Sequence, residues 1–201
     1  MFLKYCLSIF LLLFATAAGA ETRILFLGDS ITAGYGVLPG ESYPALLEAR
    51  WRKAGKRVTV INGAESASLA SGLKKSLDFH VKRSNPKVIV IVSGGNDARQ
   101  MTSPPKIEIA LRDAVRAAKK SGATVVLGEM RIFPNLGKEY VASFTAIYPR
   151  LAKSEKVELL PFLLEGVAGD PAMNQADGFH PNKEGHRKIA DRVGPFLEKL
   201  L

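Results

Sequence analysis

The chain has 201 residues and a formal charge of +9, with one cysteine, Cys6. That length gives one domain with a sizeable core, and the cysteine count excludes a disulfide framework and a thiol nucleophile in the part after Cys6. The basic residues fall in short pairs, Lys74-Lys75, Lys82-Arg83 and Lys119-Lys120, not interleaved with aromatics. This argues against a nucleic-acid partner and for a solvated basic surface, suited at most to transient contact with an anionic membrane surface.

The first 20 residues read as a cleaved secretory signal. Lys4 gives a positive start, Tyr5 to Phe14 an apolar stretch, and Ala18-Gly19-Ala20 a small-residue cleavage site. Residues 21–201 then form the expected domain, undivided by linkers or repeats. Strand-like and helix-like segments alternate along it. Arg23–Gly28 is a short apolar strand. Ser42–Ala54 is a helix, with Ser42 as N-cap, Pro44 in the first turn and Gly55 at the stop. Val58–Asn62 is strand-like. Ser68–Ser84 places Leu69, Leu73, Leu77 and Val81 at helical spacing. Val88–Ser93 is a continuous β-branched run, expected for a central parallel strand.

Further along, the pattern predicts a helix over Pro105–Lys120, a strand over Thr124–Gly128, a helix over Glu139–Lys153 and a strand over Val157–Leu160. An irregular stretch, Gly166–Pro181, precedes a last helix, Lys183–Leu200, facing inward with Ile189, Val193, Phe196 and Leu200. This alternation predicts a three-layer α/β/α domain with a mainly parallel sheet.

Ligands in such sheets bind beyond the carboxyl ends of the strands, so the residues there carry the information. They are Gly28-Asp29-Ser30, Asn62 to Ser68, Ser93 to Asp97 and Asp177 to Pro181. A nucleophilic serine needs a base. His80 falls inside a helix, away from the strand ends, and His186 inside the last helix, where it reads as solvated. His180 alone lies in a loop at the active edge, with Asp177 three residues before it. In a tight Asp-Gly-Phe-His turn the carboxylate fixes the imidazole tautomer and leaves Nε2 free to take a proton from Ser30. Asn96 is the side-chain candidate for an oxyanion donor, with backbone N–H groups of Ser30 and of the loop near Ala67 completing the hole. Gly95 leaves room for a substrate.

Each fragment alone reads as an ordinary turn or cap. Their convergence on one sheet edge, in the order serine, asparagine, aspartate, histidine, gives them a common meaning. Ser30 lacks the second glycine of the Gly-x-Ser-x-Gly elbow. Asp29, Asn96, Asp97, Asp177 and His180 are conceivable metal ligands, but only one histidine is well placed, so no metal is expected. No phosphate-binding glycine loop is present, so no nucleotide cofactor is expected either.

The stretches "FLGDSITAGYG", "GGND" and "DGFHPN" resemble the blocks of the GDSL esterases, or SGNH hydrolases, across 21–201. "FTAIYPRLAK", "LLPFLLE" and "MNQADGFHPN" are similar to the bacterial periplasmic thioesterase/lysophospholipase/arylesterase subgroup. The resemblance implies a flavodoxin-like sandwich with a five-stranded sheet. It implies Ser30 as nucleophile, His180 as base, Asp177 as orienting acid and Asn96 as oxyanion donor, without metal or cofactor. It also implies small-molecule or lipid acyl substrates: aryl esters, acyl thioesters and lysophospholipids. One position departs, because Ala67 stands where the family usually has a glycine backbone donor.

The expected enzyme is therefore a periplasmic or extracellular monomer that hydrolyses acyl esters, with Asp29, Gly95 and Phe179 as substrate-binding candidates. Ile132, Phe133 and Leu136 are further candidates to line an acyl pocket, and Asp97–Lys106, with Met101 and two prolines, to cover it. The alternatives are a carbohydrate O-acetylesterase of the same fold and a non-catalytic envelope binding module.

Overall fold

The computed structural model describes residues 21–201. The expected leader, residues 1–20 with Cys6, lies outside the described residues. Five strands, β1 (Thr22–Gly28), β2 (Val58–Asn62), β3 (Val88–Val92), β4 (Thr124–Gly128) and β5 (Glu158–Leu160), form one sheet in the order β2-β1-β3-β4-β5. Every neighbouring pair is parallel. The helices are α1 (Ser30–Ala33), α2 (Tyr43–Lys53), α3 (Leu73–Ser84), α4 (Gly95–Arg99), α5 (Pro104–Lys120), α6 (Lys138–Thr145), α7 (Ile147–Glu155) and α8 (Lys183–Glu198).

Ile24–Leu27 and Val88–Val92 are buried without alternation. Such runs need cover on both sheet faces. The crossover helices supply it, with α2 packed on α8, and α3 and α7 both packed on α5. The expected three-layer α/β/α sandwich is present, and its sheet is parallel throughout. The open edge at β2 is also closed. Val60 N donates to Glu48 Oε1 at 3.3 Å, and Arg52 Nε donates to Val58 O at 2.9 Å. Glu48 and Arg52 pair at 2.8 Å, so one helical ion pair satisfies backbone groups that would otherwise offer a docking edge.

Register positions the site. Gly28 of β1 stands beside Val92 of β3, so the residues after the two strands emerge side by side. A Cβ at Gly28 would lie 2.5 Å from Val92 O and 2.7 Å from Thr32 Oγ1, so only glycine lets the chain turn into α1 against β3.

Four details differ from the sequence reading. The helix expected from Ser68 begins as a helix only at Leu73, after a 3-10 turn over Ala70–Gly72. The segment expected as one helix over Glu139–Lys153 breaks at Ala146. Pro149 is the cause: it has no N–H to donate to Thr145 O, and its ring crowds that carbonyl. His80 is not remote from the strand ends, because its ring lies 2.7 Å from where a Cβ on Gly63, just past β2, would sit. His186 is not solvated. It is fully buried on the inner face of α8 together with Ile189, Val193 and Leu197, while Phe196 and Leu200 are only partly covered.

Candidate active site

Asp29 caps α1, its Oδ1 accepting from Ile31 N at 3.1 Å. Ser30 is thereby fixed as the first residue of that helix and is nearly buried. Thr32 Oγ1, two residues on, lies 3.0 Å from Tyr43 Oη and ties α1 to α2. The serine thus rests on a rigid strand-to-helix corner rather than on a free loop.

His180 comes from the turn before α8. Its Nε2 lies 2.9 Å from Ser30 Oγ, and its Nδ1 lies 2.6 Å from Asp177 Oδ2. With the proton on Nδ1, His180 donates to Asp177 and accepts from the Ser30 hydroxyl. The other carboxylate oxygen, Asp177 Oδ1, accepts from Phe179 N and His180 N, each at 2.9 Å. The bond from the His180 ring, followed by these two backbone bonds, holds the Asp177 carboxyl down at about 2. The aspartate is therefore a carboxylate at neutral pH, able to accept from the ring. Gly178 has φ +67, the left-handed value that bends the turn back on itself. Asn182 caps α8, accepting from Glu184 N and Gly185 N, and so anchors the turn's far end.

The second and third loops are bound to each other. Asn96 Nδ2 donates to Ser68 O at 3.1 Å, and Ala70 N donates to the buried carboxylate of Asp97 at 2.9 Å. Ser68 Oγ donates to Gly28 O at 2.9 Å, which returns the loop to β1. One Asn96 N–H is thus used in orientation and the other remains for a ligand. Ala67 has φ +62, so the alanine occupies the left-handed backbone region that favours glycine.

Beside the serine opens a cavity of about 360 Å³ with a mainly apolar lining. Asp29, Ile31 and Gly95, sequence neighbours of Ser30 and Asn96, line it together with Phe133, Phe162 and Phe179. Ile132 and Leu136 line it too. The expected cover from Asp97–Lys106 is reduced to Arg99, because Met101 is exposed and Pro104 begins α5. Phe162 and Leu164 were not singled out from the sequence, although their position just past β5 is the signal that would have found them. Ser30, Asn96 and His180 themselves line neither this cavity nor a separate one of about 420 Å³ beside α2 and β2, but only the first is lined by their immediate sequence neighbours.

Burial raises the Asp29 carboxyl to about 6, with the Ile31 N–H working against that rise. Among the described residues no group of three or more His, Cys, Asp or Glu side chains is arranged to hold a metal ion. The aromatic rings frame the histidine: Tyr35 at 4.7 Å and Phe179 edge-on at 4.9 Å between centroids.

Residues 26–188 match the model of the GDSL-like lipase/acylhydrolase family. The chain is 34% identical over 193 residues to a thioesterase 1/protease 1/lysophospholipase L1 of Escherichia coli, covering 96% of this chain and 91% of that protein. It is 37% identical over 199 residues to an arylesterase of Vibrio mimicus, covering 99% and 96%. The crystal structure of TesA superposes with a TM-score of 0.85 at 33% identity, covering 90% of this chain and 100% of that one. The psychrotrophic esterase EstA from Pseudoalteromonas sp., solved inhibited by monoethylphosphonate, gives a TM-score of 0.85 at 27% identity, covering 89% and 98%.

Proposed function

Since the chain belongs to the GDSL-like lipase/acylhydrolase family, we propose that Ser30, His180 and Asp177 are the catalytic residues of a serine esterase and thioesterase. The observation that carries this assignment is the unbroken relay from Asp177 Oδ2 through His180 to Ser30 Oγ, at 2.6 and 2.9 Å, beside an apolar cavity.

Ser30 Oγ attacks the acyl carbonyl carbon as His180 Nε2 takes its proton. The carbonyl oxygen becomes an oxyanion held by Asn96 Nδ2–H, Ser30 N–H and Ala67 N–H. Collapse breaks the bond to the alcohol or thiol, which leaves with the proton from His180. Water then attacks the acyl-enzyme with His180 again as base, and the carboxylic acid departs as Ser30 is restored. Neither metal nor cofactor enters these steps. Asp29, Gly95 and Phe179 border the acyl group in the cavity.

Aryl esters, acyl thioesters and lysophospholipids are the substrates proposed, because relatives bear those names. Residues 1–20 would export the enzyme across the inner membrane, to act as a monomer in the periplasm or medium, with transient contact at anionic membrane surfaces. The carbohydrate O-acetylesterase reading gains nothing from Trp51, which is packed in the core. Ser30→Ala should abolish p-nitrophenyl ester hydrolysis and fluorophosphonate labelling while the circular dichroism spectrum is unchanged. Activity near wild type in that variant overturns the assignment.

A further inference from the structure

Three charged side chains line the apolar cavity: Asp29, Arg131 and Arg99. The first two are accounted for. Asp29 is buried and caps α1. Arg131 is neutralised by Glu129 at 2.9 Å and Glu165 at 3.2 Å. Arg99 differs. Its guanidinium lies 5.1 Å over the centroid of the Phe179 ring, and it makes no ion pair with any carboxylate among the described residues. A partner for it from residues 1–20 is not available, because that segment contains no aspartate or glutamate.

The contact with Phe179 has two effects. It holds the guanidinium plane at the cavity, and it leaves the five N–H donors of that plane without an anionic acceptor. Phe179 itself meets the His180 ring edge-on, so the cation is anchored to the same turn that carries the base. Arg99 ends α4, whose first residues are Gly95 and Asn96, so its backbone is fixed relative to the oxyanion donor. An unneutralised guanidinium at the solvent-exposed rim of a mostly apolar cavity fits an acyl group that is apolar along its length and anionic at its end. Carboxylates are taken by such a fork through paired, charge-assisted hydrogen bonds.

Resting on the acyl-hydrolase reading above, we propose that Arg99 is a specificity-determining residue that selects acyl groups ending in a carboxylate, as in monoesters of dicarboxylic acids. Neutral acyl chains still fill the cavity, but gain nothing from the cation.

The test compares p-nitrophenyl monoesters of adipic, suberic and sebacic acids with p-nitrophenyl hexanoate, octanoate and decanoate. The quantity read is the ratio of kcat/KM for the carboxylate-ended ester to that for the methyl-ended ester of equal length. Arg99→Met should lower this ratio by about tenfold at the best-fitting length, and Arg99→Lys, which keeps the charge but not the paired fork, should give a ratio between those of Arg99→Met and the wild type. A ratio unchanged in Arg99→Met at all three lengths overturns the inference. So does a drop seen only when the charge sits on the leaving group, as in the hexanoyl ester of 4-hydroxybenzoate. Folded wild-type protein that hydrolyses neither series overturns the acyl-hydrolase reading itself, an outcome separate from any change in the ratio.

Discussion

Gln175 donates from Nε2 to the main-chain oxygen of Tyr35 at 2.7 Å, joining two loops 140 residues apart. The same amide donates to Pro181 O at 3.0 Å, while the Gln175 backbone bonds His180 O at 2.8 Å and Gly178 N at 2.9 Å. The loop after Ser30 and the turn carrying Asp177 and His180 are thus fastened to each other by one residue. Gln175→Leu should lower kcat by about ten- to a hundredfold with little change in KM, because small misplacement of a base is costly. Steady-state kinetics beside a melting curve checks this; a lower Tm with unchanged kcat marks the contact as structural only.

Asn96→Ala should lower kcat by about a hundredfold, the usual cost of one oxyanion donor. KM should move little, since the lost contact matters most once negative charge develops on the oxygen. Equal effects on substrate binding and turnover would argue against the assignment. The Ser68 O bond is lost as well, so thermal unfolding of the variant separates local loosening from the chemical effect.

Ala67 tests the backbone donor. Glycine replacing alanine ordinarily destabilises a chain by about 0.5–1 kcal/mol. At φ +62 the alanine already bears a comparable left-handed penalty, so Ala67→Gly should be neutral or stabilising in urea denaturation. Its kcat should equal or exceed that of the wild type. Ala67→Val, with a β-branched side chain in the same backbone region, should lose about 1–2 kcal/mol and activity with it.

Two buried groups give opposite pH responses. Burial holds His186, whose Nδ1 accepts from Tyr43 N at 3.2 Å, down at about 4 from 6.5. Between those values the unfolded chain binds a proton that the native state does not, so stability from His186 falls as pH drops below about 6.5. Asp29 is raised from 3.8 to about 6. Between those values the native state keeps a proton that the unfolded chain has lost, so stability from Asp29 falls as pH rises toward 6. The opposing slopes largely cancel over the shared window. Asp29→Asn should therefore stabilise the protein by roughly 3 kcal/mol at pH 7 and steepen its loss of stability toward pH 4. Urea midpoints from pH 4 to 8 check this; parallel wild-type and variant curves would refute it.

The sheet was legible because its strands carry local signals. The unbroken β-branched run at Val88–Val92 announces a strand covered on both faces, and turn residues mark the end of each neighbour. The relay was legible because each member sits at a strand end or just before α8. Helix boundaries set by tertiary contacts were not. The late start of α3 follows from Ala70 N being taken by Asp97, a partner 27 residues away. His186 was open to a better reading, since it lies three residues before Ile189 and seven before Val193 on the inner face. Its polarity outweighed its phase. Gln175 and Arg99 gave no local signal, because their partners Tyr35 and Phe179 are adjacent only in space.

The relay spans 150 residues, from the corner after β1 to the turn before α8. A chain emerging from the ribosome presents Ser30 early and His180 close to its end. The sheet and the serine corner both precede residue 180, so a chain cut short before that point carries the proposed nucleophile without its proposed base. Only the docking of α8, with Asn182 capping its start and His186 against Tyr43, brings the imidazole home. On the proposed assignment, hydrolytic power is therefore withheld until synthesis is almost finished, since a chain that ends before residue 180 has no base to activate its serine.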